Sequence, residues 1–253
     1  MTARFDDLAG RVAVVTGASR GIGAATARMF AANGMWVALV GRDEDALEQV
    51  REDIWDAGGR AVVAPADVTR PDALAFAAKH VANEFGDVDV LAAFAGGNGR
   101  PQPSESMGPP AWRAILDGDL SSAFYTIQTF VGGMLERGRG SIITMSSAAG
   151  RAPSQANVAY AVAKAGVVML TRHLAAEFAP RGVRVNALAP SAVRNQKMAA
   201  MPGAQFDALA QSFPLGRIGE PNDIAAAAAY LASDASGWVT GVTLDISGGK
   251  VYA

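Results

Sequence analysis

Apolar residues fall along this chain in short runs of about six, separated by longer stretches that are mixed in polarity. The runs lie at 11–16, 35–40, 60–65, 88–94, 140–146, 182–188 and 241–246. Several lack a polar face: Val12-Ala13-Val14-Val15 and Ala38-Leu39-Val40 are apolar at consecutive positions, the pattern of a strand covered on both sides. Between the runs, the stretch from Ala24 to Asn33 carries Ala, Met and Phe without Gly or Pro and stops at Gly34, which predicts a helix and its end. Ala225 to Ala229 is a helix interior after a start at Pro221-Asn222-Asp223. Strands alternating with helices predict an α/β fold, a doubly wound parallel seven-stranded sheet with helices on both faces. At 253 residues, the chain is ample for one core and short for two, so a single domain over 1–253 is expected.

The first run leads into Thr16-Gly17-Ala18-Ser19-Arg20-Gly21-Ile22-Gly23, so the order is strand, glycine turn, helix, strand. Glycines at such a turn let the backbone approach a pyrophosphate, whose charge meets the amides and positive dipole of the helix N-terminus. The spacing is G-x-x-x-G-x-G, a relative of the commoner Rossmann-type G-x-G-x-x-G turn. A lone glycine turn can be an ordinary βα connection; the βαβ context favours a dinucleotide. The second strand ends Val40-Gly41-Arg42, without the carboxylate that would grip a ribose 2′-hydroxyl. Arg42 and Arg20 instead form a guanidinium pair suited to a 2′-phosphate, which favours NADP(H) over NAD(H). Asp43 beside Arg42 facing the ribose is the alternative.

Further along, Tyr160 and Lys164 are four apart in a helical run, which places both side chains on one face. An ammonium about 4 Å from a developing phenolate stabilises it by roughly 4 kcal/mol at an effective dielectric of 20, which makes the tyrosine a usable acid. Taken alone, such a pair is more often a solvated helix face. Ser147, thirteen positions before Tyr160, adds a hydroxyl.

With T-G-x-x-x-G-x-G near the start and S…Y-x-x-x-K in the second half, the chain resembles the short-chain dehydrogenase/reductase family from about Leu8 to Gly249. Within that family it looks most like the 3-oxoacyl-[acyl-carrier-protein] reductases. The resemblance implies a catalytic Ser147, Tyr160 and Lys164, with the competing Ser146 pointing elsewhere. It implies cofactor contacts from Gly17, Ser19, Arg20, Gly21, Ile22, Gly23, Arg42, Asp67, Val68, Ala95, Gly96, Tyr160, Lys164, Pro190 and Val193. It also implies a homotetramer that pairs the helix carrying Tyr160 and uses the segment near Gly241 to Ala253; a two-fold dimer is the plainer alternative. Two departures stand out. Ala93-Phe94-Ala95-Gly96 replaces the usual N-N-A-G after strand four, and Asp119 stands where the family has an asparagine that helps hold a proton-relay water.

Composition narrows the remaining readings. A net charge of −2 without a basic run offers nothing to nucleic acid, and Arg137-Gly138-Arg139-Gly140 reads as a helix-to-strand turn. The absence of cysteine removes disulfides and thiolate chemistry. No signal peptide opens the chain and no apolar stretch reaches the ~18 residues of a membrane span, so a cytoplasmic protein without membrane partners is expected. His80 and His173 read as surface residues, and no metal is expected. Met198, Met201, Phe206 and Phe213 lie in a segment at about 194–213 that reads as a lid over an apolar substrate, or as helices packed on the core. Arg100, in the loop 97–104, is a candidate anchor for an anionic substrate, with a solvated loop as its plainer role. The expected activity is interconversion of a ketone, small or linked to an acyl carrier, and a secondary alcohol. A sugar, steroid or other alcohol dehydrogenase is the nearest alternative. A nucleotide-sensing or scaffolding protein that has lost turnover, suggested by Asp119, is the alternative of another class.

Overall fold

The computed structural model describes residues 3–97, 99–196, 198 and 201–251. Strands β1 (Val12–Thr16), β2 (Trp36–Gly41), β3 (Arg60–Pro65), β4 (Val90–Ala93), β5 (Gly140–Met145), β6 (Val183–Pro190) and β7 (Thr243–Ile246) form one sheet in the order β3-β2-β1-β4-β5-β6-β7. Every pairing is parallel. The helices are α1 (Gly21–Ala32), α2 (Glu44–Asp56), α3 (Pro71–Phe85), α4 (Pro109–Leu116), α5 (Ser122–Arg137), α6 (Val158–Phe178), α7 (Gly203–Gln211) and α8 (Pro221–Ala232).

Alternate residues of each strand feed two separate cores. Ala13 and Val15 of β1, with Val37 and Leu39 of β2, pack beneath α1, α2 and α8, where Phe30, Leu47, Ile54 and Ile224 are fully or almost fully buried. Val12 and Val14, with Ala38 and Val40, face the other way onto α3, α5 and α6 through Leu74, Val81, Ile127, Met134 and Phe178. Burial on both faces explains why these strands carry no polar alternation.

All seven expected strands form, but their ends move. β4 is shorter than 88–94 because Asp89 turns its carboxylate to the amide of Val12 (3.1 Å) at one end. At the other, the amides of Phe94 and Ala95 both donate to Thr16 Oγ1, at 3.0 and 3.1 Å. β6 runs on to Pro190, paired with Ile246. Gly138, with φ of 66°, makes the turn between α5 and β5 that the Arg137–Gly140 stretch predicted.

The chain order reverses between β1 and β4, so the loops after these strands splay apart and leave a crevice at their carboxyl ends. The loops after β5 and β6 border the same crevice.

Candidate active site

That crevice is a cleft of about 400 Å³. One wall is the glycine turn. Gly17 and Gly21 have φ of 68° and 55°, a region open to glycine but costly for other residues. A Cβ on Gly23 would lie 2.1 Å from the Gly17 carbonyl oxygen, so helix and turn approach as closely as they do only because that side chain is absent. Arg20, the residue before α1, supplies no side-chain cap, which leaves the first amides of the helix turned toward the cleft. A bare backbone cradle at a helix N-terminus fits a dinucleotide pyrophosphate.

The opposite wall comes from β5 and α6. Asn157 caps α6 by accepting from the Tyr160 amide at 2.8 Å, and this fixes the first turn that carries the tyrosine. Lys164 follows one turn later on the same face, its Nζ 5.5 Å from the centre of the Tyr160 ring. Ser147, at the end of β5, accepts from the Ala149 amide at 3.2 Å, leaving its hydroxyl proton to donate. The neighbouring Ser146 is buried and donates to the Lys164 carbonyl at 2.8 Å, so its hydroxyl is committed to holding α6 against β5.

Gly17, Arg20, Gly21, Ile22, Gly23, Gly96, Ser147, Tyr160, Lys164, Pro190 and Val193 all line this one cleft. Ser19, Arg42, Asp67, Val68, Ala95 and Asp119 do not line it. Arg42 follows β2 and Asp67 follows β3, on the side of the glycine turn away from Tyr160. The Asp67 carboxyl is held below its ordinary value of 3.8 chiefly by the Thr69 amide at 3.0 Å and then by the Thr69 hydroxyl at 2.7 Å, with the charge of Arg42 adding to the effect. Arg20 Nη2 donates to Asp43 Oδ2 at 2.6 Å, a pairing that the sequence reading did not foresee. The Asp43 carboxylate also caps α2 through the Ala46 amide.

Asp119 lies in a π-helical turn, Asp117–Ser121, inserted between α4 and α5. Its Oδ1 is 3.1 Å from Lys164 Nζ, with the two side chains 0% and 3% exposed, and it accepts from the Gly97 amide at 2.6 Å. Lys164 Nζ also donates to the Met145 carbonyl at 2.9 Å. The loop after β4 covers the tyrosine: a Cβ on Gly99 would be 3.0 Å from the Tyr160 ring, and Asn157 Nδ2 holds the Arg100 carbonyl at 2.9 Å. The roles of Thr16 and Gly99, and the hold of Asn157 on the Arg100 carbonyl, were not legible beforehand, because each depends on a tertiary contact between segments far apart in sequence.

The chain matches the family described as Enoyl-(Acyl carrier protein) reductase over residues 17–250. The chain belongs to the short-chain dehydrogenase/reductase family. Such an enzyme is an oxidoreductase that works with a nicotinamide dinucleotide, the group the cradle fits. Among its relatives, the cis-4-hydroxycyclohexanecarboxylate dehydrogenase of Sinomonas cyclohexanicum is 39% identical over 239 residues, 94% of this chain and 96% of that protein. The 3beta-hydroxysteroid dehydrogenase 1 of Eggerthella lenta is 40% identical over 250 residues, 97% of this chain and 95% of that one. A 3-oxoacyl-[acyl-carrier protein] reductase from Brucella melitensis, solved with bound NAD, superposes with a TM-score of 0.90 at 33% identity, covering 100% of this chain and 95% of that chain. No helix among the described residues is long and apolar enough to cross a membrane.

Proposed function

We propose that this short-chain dehydrogenase/reductase uses NADP(H) to interconvert a ketone and a secondary alcohol. The observation that carries the reading is the meeting of Ser147, Tyr160 and Lys164 in the same cleft as the glycine turn. A bound nicotinamide supplies the hydride in reduction and accepts it in oxidation. Tyr160 donates its phenolic proton to the carbonyl oxygen as the hydride arrives, and Ser147 holds that oxygen with a hydrogen bond. Lys164 stabilises the phenolate left behind and offers an N–H to the cofactor ribose. In alcohol oxidation each proton moves in reverse.

Arg20 and Arg42 supply the charge for a 2′-phosphate, while Asp43, the carboxylate directly after Arg42, is occupied with Arg20 and the cap of α2. By family resemblance, Asp67 and Val68 would hold the adenine of a bound cofactor. The stretch 194–213 serves as the lid, with Met198 on the cleft and Phe206 stacked under the Arg194 guanidinium at 4.8 Å. Phe213 is 5% exposed and belongs to the core beside Gly248, so the moving part ends before it. Residues 197, 199 and 200 of this stretch lie outside the described residues. We place the single-domain enzyme in the cytoplasm as a homotetramer, by analogy with its family.

For the substrate, a 3-oxoacyl group on an acyl carrier is the first reading. A ring-borne secondary alcohol is the second, favoured by the cyclohexane and steroid substrates in the names of the two relatives at 39% and 40% identity. Following NADPH oxidation with acyl thioester ketones, cyclohexanone carboxylates and 3-ketosteroids separates the two. No consumption with any ketone, using either cofactor, overturns the enzymatic reading in favour of a nucleotide-binding scaffold.

A further inference from the structure

We propose that Asp119 is a charge-bearing positioning residue that biases this site toward ketone reduction. The proposal rests on the reading of Tyr160 as the acid–base group and adds a direction to it.

An ammonium has three N–H donors. Two from Lys164 are committed, to Met145 O at 2.9 Å and to Asp119 Oδ1 at 3.1 Å, so one remains for the cofactor or the phenol. The ion pair is buried, where charge interactions are screened least. A lone ammonium beside Tyr160 favours the phenolate. The same ammonium joined to a carboxylate at 3.1 Å presents a nearly neutral pair and stabilises negative charge on the Tyr160 oxygen less.

The phenol is the form that reduction consumes. With a bound reduced dinucleotide to supply hydride to the carbonyl carbon, Tyr160 would give its proton to the carbonyl oxygen and regain one from solvent. Oxidation begins from the phenolate, which takes the alcohol proton as hydride leaves the carbon. A site whose lysine charge is neutralised by a carboxylate therefore favours the reduction direction over oxidation.

The fold makes room for this carboxylate. A Cβ on Gly96 would lie 2.4 Å from Asp119 Oδ1, so the glycine, with φ of 133°, provides the space. The Gly97 amide donates to the same oxygen at 2.6 Å. Asp119 thus ties the segment that covers Tyr160 to the lysine beneath it. The charged groups around the phenol among the described residues are Lys164 from α6, Asp119 from the π-helical turn, Arg194 from the loop after β6, and Arg20 from the glycine turn on the opposite wall, whose charge Asp43 offsets at 2.6 Å. Arg194 is paired with Glu220 at 2.7 Å, so its charge is already offset. The loop after β4 contributes Arg100, whose side chain is exposed, and the end of β5 presents the uncharged Ser147.

Asp119→Asn keeps an acceptor for the Gly97 amide and removes the charge. Two readouts are compared with the wild type: pH–rate profiles in both directions at saturating cofactor, and tyrosinate absorbance of the cofactor-free protein with the Tyr160→Phe spectrum subtracted. The acid limb of alcohol oxidation is expected to move down by about one pH unit, a roughly tenfold gain in oxidation rate at neutral pH, with Tyr160 ionising correspondingly earlier. Tyr160 ionising at the same pH in variant and wild type overturns the proposal, whatever the turnover. Asp119→Ser, small and uncharged, gives the same comparison if the asparagine variant does not fold. Failure of the underlying reading shows differently, as full activity in Tyr160→Phe.

Discussion

Arg20 Nη2 donates to Asp43 Oδ2 at 2.6 Å and so ties the glycine turn to the start of α2. The two side chains are 60% and 47% exposed, so the pair is weak and its guanidinium is free to exchange partners. A 2′-phosphate arriving between Arg20 and Arg42 gains two charge-assisted contacts of roughly 1.5–3 kcal/mol each. NADPH is therefore expected to exceed NADH in kcat/KM by at least about tenfold, and Arg42→Ala to lower the NADPH value alone. Equal values for the two cofactors in the wild type exclude the two-arginine argument.

Tyr160→Phe removes the acid and little else, so turnover is expected to disappear while dinucleotide affinity stays within about twofold in a fluorescence titration. Lys164→Ala is expected to damage both. It removes the proposed ribose donor and also leaves the Asp119 carboxylate buried without its cation, a loss of roughly 3–5 kcal/mol that thermal melting detects. A Phe variant that still turns over shows that the proton comes from another group.

Gly23→Ala tests the turn itself. The added methyl would sit 2.1 Å from the Gly17 carbonyl oxygen and 3.1 Å from the Ala18 amide nitrogen, both backbone atoms with little room to yield. Relief of that clash moves α1 away from the turn, at a cost of about 1–3 kcal/mol in stability, and the pyrophosphate cradle moves with it. Loss of cofactor affinity accompanied by a lower melting temperature is the expected result; an unchanged variant shows that the turn is looser than its contacts indicate.

Much of this site was legible in the sequence because its parts are local. The glycine turn is one short segment, Tyr160 and Lys164 share one helix face, and strands buried on both sides announce themselves as continuous apolar runs. The unforeseen features are those set by contacts between segments. β4 ends where it does because Thr16, more than seventy residues earlier, captures the next two amides. Gly99 rests on the Tyr160 ring, and Asp119 reaches Lys164 through a π-helical turn that no spacing of apolar residues signals. The replacement of the usual asparagines by Ala93 and Phe94 was visible; that a threonine hydroxyl on β1 takes the amides of Phe94 and Ala95 was not.

Asp67 provides a test of the nucleotide end that needs no cofactor. The Thr69 amide and hydroxyl favour its ionised form, so its folded value lies below the ordinary 3.8. A depressed carboxyl contributes stability that is fully present above the unfolded value and is lost as the pH falls through the folded one. Substituting Asp67→Ala should therefore cost about 1 kcal/mol or less at neutral pH, since the group is partly exposed, and the deficit should shrink from about pH 5 downward. Denaturant melts of wild type and variant across the acid range measure this. A deficit that stays constant to the lowest pH at which both proteins fold means that Asp67 acts by packing rather than through its charge.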